Sequence, residues 1–144
     1  KGVPTTLFAP EDNLEGFDIL VDCMLGTGFS GTPRGLFQRA IQAINGSGAY
    51  VVSVDINSGM NGDTGEGALV VHADRTVTIG FLKTGFFQGD SQRYFDSLTV
   101  VDIGIHLLRA DGYLEETPPF SLHSISLEEV TGELGENGPN PQER

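Results

Sequence analysis

Two stretches of the chain repeat one design: an apolar run, an aspartate at its carboxyl end, then glycines. The first is Asp18-Ile19-Leu20-Val21-Asp22, followed by Cys23-Met24-Leu25-Gly26-Thr27-Gly28-Phe29-Ser30-Gly31. The second is Tyr50-Val51-Val52-Ser53-Val54-Asp55, followed by Ile56-Asn57-Ser58-Gly59. The first run has no polar alternation, which predicts a strand over 18–25 covered on both faces, as in a parallel sheet flanked by helices. Between the runs, Thr32-Pro33 predicts a helix start, with Thr32 as N-cap and Pro33 at the first helical position. Leu36, Phe37, Ala40, Ile41 and Ile44 then form one apolar stripe at helical spacing, and Asn45-Gly46 ends it. A helix over 33–45 spans about 20 Å, enough for a crossover between parallel strands. The order strand, helix, strand brings Asp22 and Asp55 to one edge of the sheet, where open α/β sheets bind their ligands.

Further strands are expected at 50–55, 75–80 and 98–103, the last carrying a third acid, Asp102, near its end. Thr5-Thr6-Leu7-Phe8 reads as a short entry strand, and Pro10-Glu11-Asp12-Asn13 as a turn. The glycine-punctuated stretch 82–93 reads as irregular. Beyond residue 110 the pattern weakens. Ser126 and Glu129 form a capping box for a short helix, and 131–144, rich in Gly, Pro, Glu and Asn, has the composition of a disordered segment. The fold class expected is therefore α/β, a Rossmann-like three-layer, mostly parallel sheet. It occupies 1–114, with 115–144 as an acidic tail or linker.

Charge narrows the partners. Of the formal charge of −12, residues 111–144 hold eight acids against Arg144 alone, and no Lys/Arg cluster occurs anywhere. Without a basic footprint, neither nucleic acid nor an anionic membrane surface is an expected partner. No apolar run approaches the ~18 residues of a membrane span and no signal peptide opens the chain, so a cytoplasmic location is expected. Cys23 is the single cysteine, which excludes an intrachain disulfide. Following an acid, it reads as a small buried residue rather than a reactive thiol. The chain opens on Lys1, not methionine, as a fragment or processed product would.

The chemistry gathers at the predicted edge. Two carboxylates about 6 Å apart repel by about 3 kcal/mol at an effective dielectric near 20, so Asp22 and Asp55 call for a cation or several donors between them. No lysine or arginine is near in sequence, and oxygen donors such as Ser58 and main-chain carbonyls suit a hard cation. The alternative is that each aspartate caps its own turn. Gly26, Gly28 and Gly31 match the spacing G-x-G-x-x-G, and the loop Gly26–Thr32 runs into a helix start whose dipole favours phosphate. His72, His106 and His123 share no ligand spacing. Lys83 follows a predicted strand and reads as a solvated lysine.

Val21-Asp22-Cys23-Met24-Leu25-Gly26-Thr27-Gly28, Val54-Asp55-Ile56-Asn57-Ser58-Gly59 and Val100-Val101-Asp102-Ile103-Gly104-Ile105 together resemble the NAD(P)H-hydrate epimerase family, the YjeF N-terminal domain. Ala73-Asp74-Arg75-Thr76-Val77-Thr78 and Lys83-Thr84-Gly85 agree in position, so the likeness covers about residues 1–110. The resemblance implies a Rossmann-like fold and an isomerase that interconverts the R and S forms of hydrated NADH or NADPH, a metabolite-repair reaction completed by a partner dehydratase. It implies a potassium ion on Asp22 and Ser58. It implies substrate binding by Gly26, Thr27, Gly28, Phe29, Ser30, Gly31, Thr32 and Asp55. Because epimerisation needs a positioned carboxylate for acid–base help, Asp55 is the expected catalytic residue, and a homodimer is a candidate assembly. Two departures stand out: Asn57 occupies a position where the family usually has proline, and the family's earlier strand and asparagine- and glycine-rich loop have no counterpart here. The resemblance therefore implies a partial domain. Competing readings are a nucleotide-binding module without catalysis, an inactive truncated domain, and an NAD-dependent oxidoreductase, the last resting on the three loop glycines alone.

Overall fold

In the computed structural model, the structure describes residues 2–104 and the backbone of 122–125. Five strands form one sheet in sequential order: β1 (Ile19–Asp22), β2 (Tyr50–Val54), β3 (Arg75–Ile79), β4 (Leu98–Val101) and β5 (Leu122–Ile125). The first four run parallel, and β5 joins β4 antiparallel. The expected α/β, mostly parallel architecture is therefore present. The strand β5 lies inside the stretch expected to be a tail. The proposed helix at Ser126 and the segment 131–144 fall outside the described residues.

One helix, α1 (Gly35–Gly46), makes the crossover from β1 to β2. It starts later than Thr32-Pro33 predicts, with Arg34 at the N-cap position in extended conformation and no side-chain cap. Gly35 follows in the left-handed region, at φ 60°, so the chain changes direction there before it coils, and Thr32 and Pro33 remain in the loop. Ala40, Ile41 and Ile44 are buried, but Leu36 and Phe37 are exposed, so only the later turns of the predicted stripe pack. Asn45 fixes the far end: its side-chain amide donates to the Val70 carbonyl and its oxygen accepts from the His72 amide, both at 2.9 Å.

The parallel register puts Leu20, Asp22, Val51, Ser53, Thr76, Thr78 and Leu98 on one face of the sheet. That face carries two apolar clusters. Ile41 and Ile44 of α1 pack with Val51, Val71 and Ala73, while Ile56, Met60, Val70, Phe86, Tyr94, Phe95 and Leu98 form the second. The stretch expected to be irregular supplies part of that second cluster through two 3₁₀ turns, Thr84–Phe87 and Ser91–Tyr94. The opposite face is open along β1 among the described residues, where Ile19 and Val21 are 60% and 61% exposed, and Tyr50 and Ile79 are exposed as well, whereas Thr99 of β4 on that face is buried. The covering of β1 on both sides, expected from its unbroken apolar run, is thus seen on one side only. Thr5–Phe8 is irregular rather than a strand. No helix among the described residues is long and apolar enough to cross a membrane.

Candidate functional site at the carboxyl edge of the sheet

Asp22 ends β1 on the inner face and is fully buried. Its charge is met entirely by neutral donors. Oδ1 accepts from the Ser58 hydroxyl at 2.6 Å and the Met24 amide at 3.2 Å. Oδ2 accepts from the Ser58 amide at 2.8 Å and the Ser53 hydroxyl at 3.0 Å. Ser58 Oγ in turn accepts from the Leu25 amide at 2.9 Å, so one aspartate and one serine lock the loop after β1 to the loop after β2. Such charge-assisted bonds are the means by which a buried carboxylate is tolerated.

Asn57 continues this buried polar seam. Its amide donates to the carbonyls of Val71 at 2.9 Å and Tyr94 at 2.8 Å, and its oxygen accepts from the Thr76 hydroxyl at 2.7 Å. Sequence reasoning noted Asn57 only as a departure from a family pattern, yet it joins three segments far apart in the chain. Gly59 follows in the left-handed region at φ 96°, and a Cβ there would collide with the Leu69 carbonyl. These contacts hold Ser58 in reach of Asp22.

Asp55, two residues beyond the pairing of Asp22 with Ser53, has a different environment. It is the only non-glycine among the described residues with a positive φ, at 70°. Its backbone amide donates to the Val77 carbonyl at 2.7 Å, and its Oδ1 accepts from the Ile79 amide at 3.2 Å. Lys83 completes the arrangement with an ion pair to the same Oδ1. Its ammonium also donates to Thr78 Oγ1 at 2.8 Å and the Ile79 carbonyl at 3.1 Å. Lys83 is thus not the solvated lysine the sequence suggested. Its partner lies 28 positions away, a separation that local spacing does not reveal. Asp55 thus has a cationic partner in the protein itself.

Both aspartates therefore reach one edge, but they share no hydrogen-bond partner, and Asp22 turns into the interior instead of facing a common pocket. In the loop Gly26–Thr32, the Phe29 amide donates to the Gly26 carbonyl at 3.0 Å. Gly26, Thr27, Gly28, Ser30, Gly31 and Thr32 are exposed, with Phe29 half-buried. Phe29, Gly31 and Thr32 line one side of an open cavity of about 630 Å³, faced by Asn61, Glu66 and Arg93. Neither Asp22 nor Asp55 lines that cavity, so the loop's later residues and the Asp55 carboxylate form adjacent, not coincident, features. The Arg93 guanidinium lies over the Tyr94 ring and donates to the Tyr94 hydroxyl at 2.9 Å, and that hydrogen bond raises its pKa.

Asp102 accepts from the Gly104 amide at 2.7 Å, a local turn contact. Cys23 is exposed, not buried as expected. Local desolvation and then the neighbouring Asp22 carboxylate push its thiol pKa up. His72 is exposed and meets Tyr94 edge to face, while His106 and the His123 side chain lie outside the described residues. No group of three or more His, Cys, Asp or Glu among the described residues is placed to hold a metal ion, which leaves the oxygen pair of Asp22 and Ser58 as the one predicted metal position to assess.

Comparison with known proteins adds a second line. The family model for the YjeF-related protein N-terminus matches residues 2–85. A bifunctional NAD(P)H-hydrate repair enzyme of Thermofilum pendens is 48% identical over 75 residues, 51% of this chain and 14% of that protein. An NAD(P)H-hydrate epimerase of Rhodopirellula baltica is 40% identical over 95 residues, 65% of this chain and 39% of that protein. A bifunctional NAD(P)H-hydrate repair enzyme of Leishmania braziliensis is 39% identical over 102 residues, 70% of this chain and 18% of that protein. The chain thus spans between about a seventh and two-fifths of these curated relatives.

Proposed function

Because this chain belongs to the family of the YjeF-related protein N-terminus, we propose that it takes part in NAD(P)H-hydrate repair as an epimerase, with Asp55 as the catalytic carboxylate. The relatives' names supply the substrate, an NAD(P)H hydrate; water added across an enamine double bond of the dihydropyridine leaves its hydroxyl on the carbon next to nitrogen. The observation that carries the reading is the state of Asp55. Lys83 and the Ile79 amide take one oxygen, and among the described residues no side chain or amide donates to the other.

An ionised carboxylate with a free oxygen is a general base. Inversion at the hydroxyl-bearing carbon follows from ring opening. Asp55 accepts the hydroxyl proton as the carbon–nitrogen bond breaks, giving an aldehyde and a ring nitrogen that takes that proton. Rotation and reclosure, with the proton returned to oxygen, give the other epimer and leave Asp55 as it began. The glycine loop Gly26–Thr32, which leads into α1, is the proposed seat of the dinucleotide phosphates.

Potassium belongs to this reading as a structural ion. Asp22 and Ser58 would hold it: the donors are oxygen only, and among the described residues the buried charge has no cationic partner. Two of its four donors are hydroxyls, whose protons can rotate away from an arriving cation. When bound, the ion would neutralise Asp22 and stiffen the two loops. A dehydratase acting on the product, a homodimer and a cytoplasmic setting complete the proposal.

Proton NMR of the separated R and S hydrates tests it. The chain should equilibrate them, and Asp55→Asn should slow that about 10³-fold, within the range a positioned base contributes. Equal rates in the two proteins would remove Asp55 from the chemistry.

A further inference from the structure

We infer that Lys83 is a positioning residue for Asp55, a role that neither the family match nor the relatives' names assign; the inference rests on the epimerase reading. Three acceptors surround its ammonium: Asp55 Oδ1, Thr78 Oγ1 at 2.8 Å and the Ile79 carbonyl at 3.1 Å. An ammonium has three N–H donors, so all three are used and none remains for a ligand. Lys83 therefore does not itself touch substrate. Its effect passes through the carboxylate.

The pair is also sheltered: the side chains of Lys83 and Asp55 are only 16% and 30% exposed. A charge pair in such a place is screened less by solvent than a surface pair. Meanwhile Asp55 occupies a left-handed backbone conformation that non-glycine residues seldom adopt. Strain of this kind persists only where surrounding contacts over-determine it. Here those contacts come from β3 and the turn after it: the Val77 carbonyl, the Ile79 amide and Lys83. Lys83 is itself placed by Gly85 two residues on, whose amide donates to the Gly62 carbonyl at 2.7 Å and whose Cβ position would lie 2.6 Å from the Asn61 carbonyl oxygen. The loop after β2 thus anchors the segment that carries the lysine, and the lysine reaches back to the residue that opens that loop. The result is a carboxylate with one oxygen fixed and, among the described residues, no donor on the other.

Kinetics and nitrogen NMR on the full chain test this together. In Lys83→Ala, kcat for hydrate epimerisation should fall about 10²-fold while KM stays within about threefold, since an ill-placed base harms the transition state more than binding. Ethylammonium added to Lys83→Ala, or the variant Lys83→Arg, should restore part of the lost kcat. An unchanged kcat overturns the inference, and so does a loss that neither the amine nor Arg reverses. If the wild-type chain does not epimerise hydrates, the function has failed and the pair is judged by NMR alone. A slowly exchanging Lys83 ammonium signal that disappears in Asp55→Asn supports the pair; no such signal in the wild type overturns it.

Discussion

The loops after β1 and β2 each begin at an acid on the carboxyl edge of the sheet, and they treat that acid in opposite ways. Asp22 is sealed inside and bound by four neutral donors. Asp55 is half-exposed, sits in a strained backbone conformation, and has a lysine on one oxygen and none of these donors on the other. Structure is bought by saturating a carboxylate; chemistry needs one left partly unsaturated. The sequence repeats one pattern, strand–acid–glycines, but the environments divide its two copies: one holds the edge together, and the other is the one the proposed function puts to work on a ligand.

The comparison can be broken in several places. Asp22→Ala should be the most damaging to the fold, losing about 4 kcal/mol of stability as four buried donors lose their acceptor. Urea unfolding measures this, and a midpoint like wild type would deny Asp22 its structural part. Asn57→Ala should cost less, about 2–3 kcal/mol, because it strands two carbonyls and the Thr76 hydroxyl. A matched loss of Ser58's grip on Asp22 should accompany it, visible as faster exchange of the Ser58 and Leu25 amides. On the open sheet face, Val21→Thr should alter stability by no more than about 0.5 kcal/mol, as expected of an exposed position. A larger loss would mean that something covers that face.

The smallest effect concerns the thiol beside Asp22. With its pKa raised, Cys23 holds less thiolate near neutral pH than free cysteine, so alkylation should lag behind the free amino acid there. Its rate should climb as the pH rises through the thiol's own titration. Asp22→Asn, by removing the carboxylate, should narrow the gap. A thiol as fast as free cysteine would contradict the assignment.

Much of this was legible in the chain. The order of β1, α1 and β2, the parallel pairing and the gathering of acids at one edge follow from apolar runs, helical spacing and terminal aspartates. What escaped depends on contacts between distant segments. Lys83 looked solvated because nothing in its neighbourhood in sequence points to Asp55. Cys23 was expected inside because it follows a buried strand end, but β1 has an open face, and Cys23 follows Asp22 out of the core. Thr32-Pro33 has the chemistry of a helix start, but the left-handed Gly35 turns the chain and delays the helix. The importance of Asn57 lies in three buried hydrogen bonds, and a polar residue in a glycine-rich loop carries no mark of its partners. The strand β5 lies in a stretch with weak alternation, where pairing to β4 decides the structure more than local preference does.

The division between the two acids is tested most directly by measuring kcat for hydrate epimerisation and the melting temperature of Asp55→Asn and Asp22→Asn side by side. The account predicts that Asp55→Asn loses about 10³-fold in kcat and melts within a few degrees of wild type. Asp22→Asn should melt much lower and, where still folded, retain most of its turnover. A stable, inactive Asp22→Asn beside an active Asp55→Asn would contradict it.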